Sequence, residues 1–248
     1  MKHYDIAVIG AGSGGLVAAL TANRRGLRVA MLEKNKIGGE CTHSGCVPSK
    51  TFISSARLYH AMQQAEAHGL PKVDPRLKFK FARVMEHVNE VVQSIYQNEQ
   101  PAHFQELGID VYVHPSGAQF LNQHEIQIGD EVIRAEHTVI STGSSPRMAP
   151  HEGALDTLTN ENFWDLREQP KSVLFLGGGV ISVELGQCLA RFGTQVTILE
   201  RNPRIIKVAD EEAGALAAEV LQNEGLRILT DSEVVNCQQI APAILNMD

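Results

Sequence analysis

Short apolar runs alternate along this chain with longer stretches of helical spacing. The first run, Asp5 to Ile9, stops at Gly10-Ala11-Gly12-Ser13-Gly14-Gly15. A helical stretch follows, and a second run from Leu27 to Leu32 ends at Glu33. The same order returns far downstream. Ser172 to Leu176 leads into Gly177-Gly178-Gly179-Val180-Ile181-Ser182, then a helix, then Gln195 to Leu199 and Glu200. Gly10 and Glu33 are 23 residues apart, as are Gly177 and Glu200. Brief apolar runs punctuated by glycine read as buried strands, and a repeat at fixed spacing reads as a duplicated unit. The pattern predicts an α/β chain with two Rossmann-like βαβ units and two nucleotide sites.

Between the copies, Pro48 to about Ala67 and Phe81 to Gln97 read as helices, the latter with Met85, Val88, Val91, Val92 and Ile95 on one face. Ile109–Val113, Ala118–Leu121, Glu125–Ile128 and Val132–Ala135 read as short strands forming an antiparallel insertion. His137–Ser141 reads as a strand running into Thr142-Gly143-Ser144-Ser145-Pro146. Met148 to Gln169, with Pro150 and Pro170, reads as a linker. The domains expected are therefore 1–148 and 149–248, each a three-layer arrangement on a parallel sheet.

Composition narrows the function. With 43% hydrophobic and 21% charged residues, the 248-residue chain has the make-up of a globular protein rather than a disordered one. Its net charge of −7 disfavours nucleic-acid and anionic-membrane partners. Aromatics at 5% leave little for a stacking platform, and four Cys are too few for a secreted disulfide scaffold. Asp5 and the glycine cluster interrupt the apolar start, so it reads as a strand and phosphate loop, not a signal peptide. No apolar run reaches the ~18 residues of a membrane span. The chain reads as cytoplasmic.

At the first loop, Gly10 permits a tight turn, Gly12 admits a pyrophosphate, and Gly15 lets helix and strand pack closely. The helix N-terminus faces the phosphates, and Glu33 is placed to bind ribose hydroxyls. Directly downstream stands Gly38-Gly39-Glu40-Cys41-Thr42-His43-Ser44-Gly45-Cys46-Val47-Pro48-Ser49-Lys50. Two Cys five apart cannot face each other on a regular helix, but a glycine-bearing turn entering a helix can bring them together. A helix N-terminus and a lysine one turn on favour a reactive thiolate. The alternatives are two unlinked thiols, a structural bridge, or half a metal site. For the last, His43 alone does not complete a ligand set.

GAGSGG, GGECTHSGCVPSK, ISTGSSPR and GGGVISVELG, in this order, resemble the class I flavoprotein disulfide reductases, a family that includes dihydrolipoamide dehydrogenase, glutathione reductase and mercuric reductase. The resemblance runs over nearly the whole chain. It implies FAD on the first unit, held around Gly10, Gly12, Ser13, Gly14, Gly15, Glu33, Lys34, Gly39, Thr42 and Gly45. Gly117 and Ala118 would offer backbone to the adenine, and Thr142, Gly143 and Ser144 would pass close to the dinucleotide. Cys46 would be the charge-transfer thiol beside the flavin, and Cys41 the interchange thiol of a Cys41–Cys46 redox disulfide. Lys50 would sit by flavin N5 and pair with Glu184. His43 matches no family role and is taken as a surface residue. Cys188 and Cys237 read as buried small hydrophobes.

The second unit would take the nicotinamide dinucleotide at Gly177, Gly179 and Glu200, with Ser182 in place of a third glycine. A carboxylate at 200 accepts a free ribose 2′-hydroxyl and repels a 2′-phosphate, which favours NAD(H) over NADP(H). Arg201 and Arg204 are the residues that could instead meet a phosphate. Val180 stands where several relatives carry an aromatic gate over the flavin. The resemblance also implies a flavin-covering return segment and a C-terminal dimerisation domain that are absent from these 248 residues. The expectation is a dihydrolipoamide dehydrogenase-like dithiol/disulfide oxidoreductase. Its substrate would be a small-molecule or protein-bound dithiol or disulfide, its full-length relatives homodimers, and the chain alone weakly active or inactive. A mercuric reductase-like or glutathione reductase-like enzyme is the alternative within the family. A non-catalytic FAD-binding fragment is the alternative outside it.

Overall fold

The computed structural model describes residues 1–72, 74, 79–147 and 157–234. The chain divides into two compact units. One comprises Met1–Pro48 and Asn89–Ser145, the other Ser49–Val88 and the residues from Pro146 on.

In the first unit, β1 (Lys2–Ile9), α1 (Ser13–Arg24) and β2 (Val29–Glu33) form the βαβ element expected from the glycine loop. α2 (Gly39–His43) and the start of α3 (Cys46–Gln63) follow. The chain returns through the end of α4 (Phe81–Tyr96), a 3₁₀ turn at Gln97–Glu99 and α5 (Pro101–Glu106). It then adds β3 (Asp110–Val113), β4 (Ala118–Phe120), β5 (Glu125–Ile128) and β6 (Glu131–Ile140). The sheet order is β3-β2-β1-β6-β5-β4. β1 is parallel to β2 and β6, β2 to β3, and the β4-β5-β6 ribbon is antiparallel.

β2 is buried along its whole length, which is why it reads as an unbroken apolar run. Its side chains alternate between two cores. Val29 and Met31 join Val8, Ala19 and Phe104 on one face, while Ala30 and Leu32 join Ile126, Ile128 and Ile133 of the ribbon on the other. The two strands expected at Val132–Ala135 and His137–Ser141 are one. β6 pairs with β5 through its first half and with β1 along nearly all of it, so the polar pair Glu136-His137 lies exposed without breaking the strand.

The second unit carries β7 (Ser172–Leu176), α6 (Val180–Arg191), β8 (Gln195–Leu199), α7 (Glu211–Asn223) and β9 (Arg227–Leu229). Its sheet is parallel, in the order β7-β8-β9. The core gathers Phe52 of α3, Phe81, Met85 and Val88 of α4, Leu185 and Leu189 of α6, and Ile198 of β8. Phe52 sits at the centre of an aromatic cluster with Phe81, Phe163, Trp164 and Phe192. Residues 49–88 therefore group with the second unit, whereas the sequence pattern places them within 1–148. The boundary expected at 148/149 lies outside the described residues.

Two further expectations change. The segment read as linker contains a 3₁₀ turn, Phe163–Asp165, whose Phe163 and Trp164 are buried in this core. Ile95, placed on the apolar face of its helix, is 41% exposed, because burial fades toward the C-terminal end of α4 after Val92.

Candidate functional site

The first glycine loop is shaped by what a side chain would hit. Gly10 has φ +95°, and a Cβ there would lie 2.3 Å from the Ser141 carbonyl oxygen. At Gly15 it would lie 1.8 Å from the Gly10 carbonyl oxygen. α1 therefore starts hard against the strand end. Its N-cap, Gly12, offers no side-chain cap, and its first turn carries no acid. α6 starts in the same way at Gly179, whereas α7 is capped by Asp210 and has Glu211 and Glu212 in its first turn. A capped, acidic start stabilises a helix by itself, while an uncapped one leaves N–H groups and the positive dipole end for an anion. Both glycine loops are of the second kind, and both fit a dinucleotide pyrophosphate.

The acids that close the loops repeat one another atom for atom. Glu33 is 9% exposed. Its Oε2 accepts the Ala11 N–H at 2.7 Å and its Oε1 the Asn35 N–H at 2.9 Å. Glu200 is 8% exposed. Its Oε2 accepts the Gly178 N–H at 2.6 Å and its Oε1 the Asn202 N–H at 2.7 Å, with a further bond from Asn202 Nδ2. Burial pushes the Glu200 carboxyl up, but the bonds from Gly178 and Asn202 outweigh it and hold the group below the usual glutamate range. Both oxygens of Glu33 keep a lone pair in addition to these bonds, whereas Glu200 keeps one on Oε2 alone, its Oε1 being filled by the two bonds from Asn202.

Around Glu33 the turn before β4 comes close: the His114 N–H donates to the Glu33 carbonyl, and Gly117, at φ +69°, approaches Lys34. Ala118 opens β4 beside it. Ser141 follows β6, donating its N–H to the Ile9 carbonyl, and brings Thr142 alongside Gly10. Thr142, Gly143 and Ser144 are exposed, and Gly143 has φ +70°. Ser13 and Gly14 lie in the first turn of α1, with Gly14 facing the Ser141 side chain.

The cysteine segment docks on this loop. The Gly38 N–H donates to the Ala11 carbonyl at 2.9 Å. At Gly39, φ +60°, a Cβ would lie 2.6 Å from the Gly12 Cα. Only a glycine at 39 permits that approach, since a Cβ on Gly12 would stand an ordinary 3.7 Å from the Gly39 Cα. α2 then carries Cys41, Gly45 turns back over the Glu40 carbonyl, and Cys46 opens α3. The helix thus begins at Cys46 itself, two residues before the expected Pro48, which puts that residue at the positive end of the α3 dipole. Cys41 is half-buried and Cys46 is exposed.

His43, expected at the surface, is half-buried. Its Nε2 lies 2.8 Å from the Ile37 carbonyl oxygen, so that nitrogen donates, and its ring meets Tyr96 edge to face at 4.9 Å. Thr42 is buried and donates its hydroxyl to Glu99 Oε1 at 3.1 Å. Tyr96 and Glu99 were missed in the sequence, since nothing local links them to residues more than fifty positions earlier.

Lys50, one turn beyond Cys46 on α3, belongs to the second unit by packing. There its Nζ lies 2.5 Å from Glu184 Oε1 of α6. Gly177 has φ +101°, and Gly179 has open space around it. Ser182, in place of a third glycine, is buried at the start of α6. Arg204 does not extend outward as a phosphate contact: its guanidinium donates to the carbonyls of Lys207 and Ala209, closing the loop after Glu200. Arg201 and Val180 are exposed. Cys188 is buried, and its thiol is pushed up to about 12 by desolvation, as an inert core cysteine should be. Cys237 lies outside the described residues. Among those residues, no group of three or more His, Cys, Asp or Glu could hold a metal ion, and no helix is long and apolar enough to cross a membrane.

Comparison with known proteins agrees with this geometry. Residues 4–244 match the model of the pyridine nucleotide-disulphide oxidoreductase family. The chain is 30% identical over 239 residues to the dihydrolipoyl dehydrogenase of Acholeplasma laidlawii, spanning 94% of this chain and 70% of that protein. It is 31% identical over 229 residues to the mercuric reductase of Staphylococcus aureus, spanning 92% of this chain and 41% of that one. The structure of the Cu(II) complex of the HOCl-induced flavoprotein disulfide reductase RclA from Escherichia coli superposes with a TM-score of 0.78 at 28% identity, over 95% of this chain and 51% of RclA. Two matching glycine loops, a cysteine-bearing turn docked on the first and a family match over nearly every residue lead to one assignment: the chain belongs to the pyridine nucleotide-disulphide oxidoreductases, a family of FAD-containing enzymes.

Proposed function

We propose that this chain carries the nucleotide-binding and dithiol machinery of an FAD-dependent, NAD(H)-linked dithiol/disulfide oxidoreductase of the dihydrolipoamide dehydrogenase kind. The observation that supports it most is the seating of Gly39 on Gly12, which makes the dithiol turn and the phosphate loop neighbours at van der Waals distance. When bound, FAD supplies the two-electron chemistry that links a nicotinamide to a dithiol.

The protein's own groups set the stage for it. The uncapped start of α1 and the backbone of Gly10 to Gly15 bind the pyrophosphate, and Glu33 takes a ribose hydroxyl on its remaining lone pairs. Gly117 and Ala118 flank the adenine, and Thr142, Gly143 and Ser144 border the dinucleotide. Cys46 holds negative charge at the start of α3, where the dipole favours it. Cys41, on the turn before it, exchanges with the substrate. Lys50, oriented by Glu184, supplies positive charge one turn along the same helix. In the second unit, Gly177, Gly179 and the start of α6 bind the second pyrophosphate. Glu200, charged at neutral pH and sealed behind the loop that Arg204 closes, accepts a 2′-hydroxyl and repels a 2′-phosphate, which favours NADH. A cytoplasmic setting, where thiol pools keep such a pair reduced at rest, and a homodimeric full-length protein belong to the same reading.

A second substrate reading has a specific basis. One relative is a mercuric reductase and another structure is a Cu(II) complex of RclA, so a thiophilic metal ion is the alternative acceptor at the dithiol. The test is a visible spectrum of the FAD-reconstituted chain during anaerobic titration with NADH. A long-wavelength thiolate-to-flavin charge-transfer band that disappears in Cys46→Ser is the expected result. A chain that retains no flavin, or a flavin that NADH leaves oxidised, refutes the reading. Stoichiometric reoxidation by lipoamide, or instead by Hg²⁺ or Cu²⁺, then separates the two substrate classes.

A further inference from the structure

Thr42 and His43 lie between the two cysteines, and both side chains are held by residues outside that turn. α2 is only five residues long. A helix of that length does not persist on its own hydrogen bonds, so tertiary contacts must fix it. One set of contacts is the phosphate loop, through Gly38, Gly39, Ala11 and Gly12. The other is the segment that ends α4. Tyr96 packs in a T-shaped contact with the His43 ring, and Glu99 accepts the Thr42 hydroxyl.

Glu99 is the unusual member. Its Oε1 accepts from Thr42, while its Oε2 is buried and has no hydrogen-bond partner among the described residues. That second oxygen lies 2.2 Å from where a Cβ on Gly38 would stand, so only a glycine at 38, with φ +102°, makes room for it. A buried carboxylate oxygen without a partner is costly, and such groups persist where the surrounding structure uses them. Here the carboxylate fills the hollow of the Gly38–Thr42 turn.

We propose that Glu99 is the positioning residue of the dithiol turn. Its carboxylate, seated between Gly38 and Thr42, holds Cys41 in the geometry from which it meets Cys46. The inference deepens the proposed function and rests on it for its purpose, but its test does not need the flavin. In a glutathione redox series, two thiols of the chain and one glutathione disulfide give the Cys41–Cys46 disulfide and two glutathione thiols, so the position of balance reports how well the turn presents one thiol to the other.

The experiment quenches the 248-residue chain with alkylating reagents of two masses and reads the peptide carrying Cys41 and Cys46. Glu99→Ala and Thr42→Val are expected to shift the balance about tenfold toward the dithiol, the size expected for losing a hydrogen bond to a charged acceptor. Glu99→Gln and Thr42→Ser keep the acceptor or the donor and are expected to stay within about twofold of wild type. An unchanged balance in Glu99→Ala with native far-UV circular dichroism overturns the proposal. So does an equal shift in all four variants. Should Glu99→Ala fail to fold, the Thr42 pair decides alone. A wild-type chain that forms the disulfide but binds no FAD refutes the oxidoreductase reading and leaves Glu99 to be judged on the same series.

Discussion

Consider Gly15→Ala. The added methyl carbon would stand 1.8 Å from the Gly10 carbonyl oxygen and 2.9 Å from its carbonyl carbon. Carbon and oxygen normally stay more than ~3 Å apart, so either α1 must withdraw by over an ångström or the turn must distort. Both obstacles are backbone, and neither can rotate away. Overpacking of this kind costs about 1–3 kcal/mol, and the upper end applies because β1 and α1 pack closely over Val8 at the same point. With an m-value of ~2 kcal/mol/M, the urea midpoint of the first unit should fall by about 1.5 M. The withdrawal also takes the N–H groups of α1 away from a bound pyrophosphate, so FAD affinity should fall at least tenfold, which flavin fluorescence would record. The second unit supplies a control. Ser182 already bears a Cβ at the matching position, so Ser182→Ala should leave stability within about 0.5 kcal/mol, as a small swap without a lost partner does. A Gly15→Ala chain with wild-type midpoint and flavin affinity would refute the argument that close helix–strand approach is what this glycine provides.

Three other outcomes are expected. Glu224, at the end of α7, takes a two-pronged bond from Arg191, each contact 2.7 Å, and both side chains are largely buried. The Arg191 hydrogen bonds hold the Glu224 carboxyl below the usual glutamate range. A lowered folded-state pKa contributes stability that is present above the unfolded value and lost as pH falls through the folded one. Glu224→Gln should therefore cost about 2 kcal/mol at pH 7, with the difference closing below pH ~4.5 in chemical unfolding. Lys50→Met breaks an ion pair whose lysine is mostly exposed, so stability should change by less than ~0.5 kcal/mol. Stopped-flow reduction by NADH should nonetheless slow at least tenfold, and an unchanged rate would remove Lys50 from the proposed machinery. Glu200→Ser removes the buried charge of the second loop, and the ratio of NADPH to NADH use in steady-state assays should rise at least tenfold if that charge sets the preference.

How much of this was legible beforehand follows from how local each signal is. The strands at Ser172–Leu176, Gln195–Leu199 and Glu125–Ile128 fall where the apolar pattern put them. The loops could be read because a glycine turn, a helix start and an acid 23 residues on are all specified within one stretch of chain. α7 and β9 went unassigned: Glu211–Asn223 is alanine-rich, and of its apolar residues only Leu221 is deeply buried, so its stripe is faint. Phe163 and Trp164 were hidden in a polar, proline-flanked segment that gave no period to detect. The hold of Glu99 on Thr42 spans 57 positions and could not be found without coordinates. Arg204 was open for another reason: its charge left it as a residue that could meet a phosphate, and its bonds to carbonyls of its own loop are not written in the local pattern.

Where Gly39 rests on Gly12, nothing bulkier than hydrogen separates the two backbones. A wall that thin transmits rather than insulates. Any shift of the loop as it closes on a nucleotide must displace the turn beside it, and the turn ends in a thiol. Accessibility of Cys41 to a small alkylating agent should therefore register whether the neighbouring loop is filled, even when no electron moves.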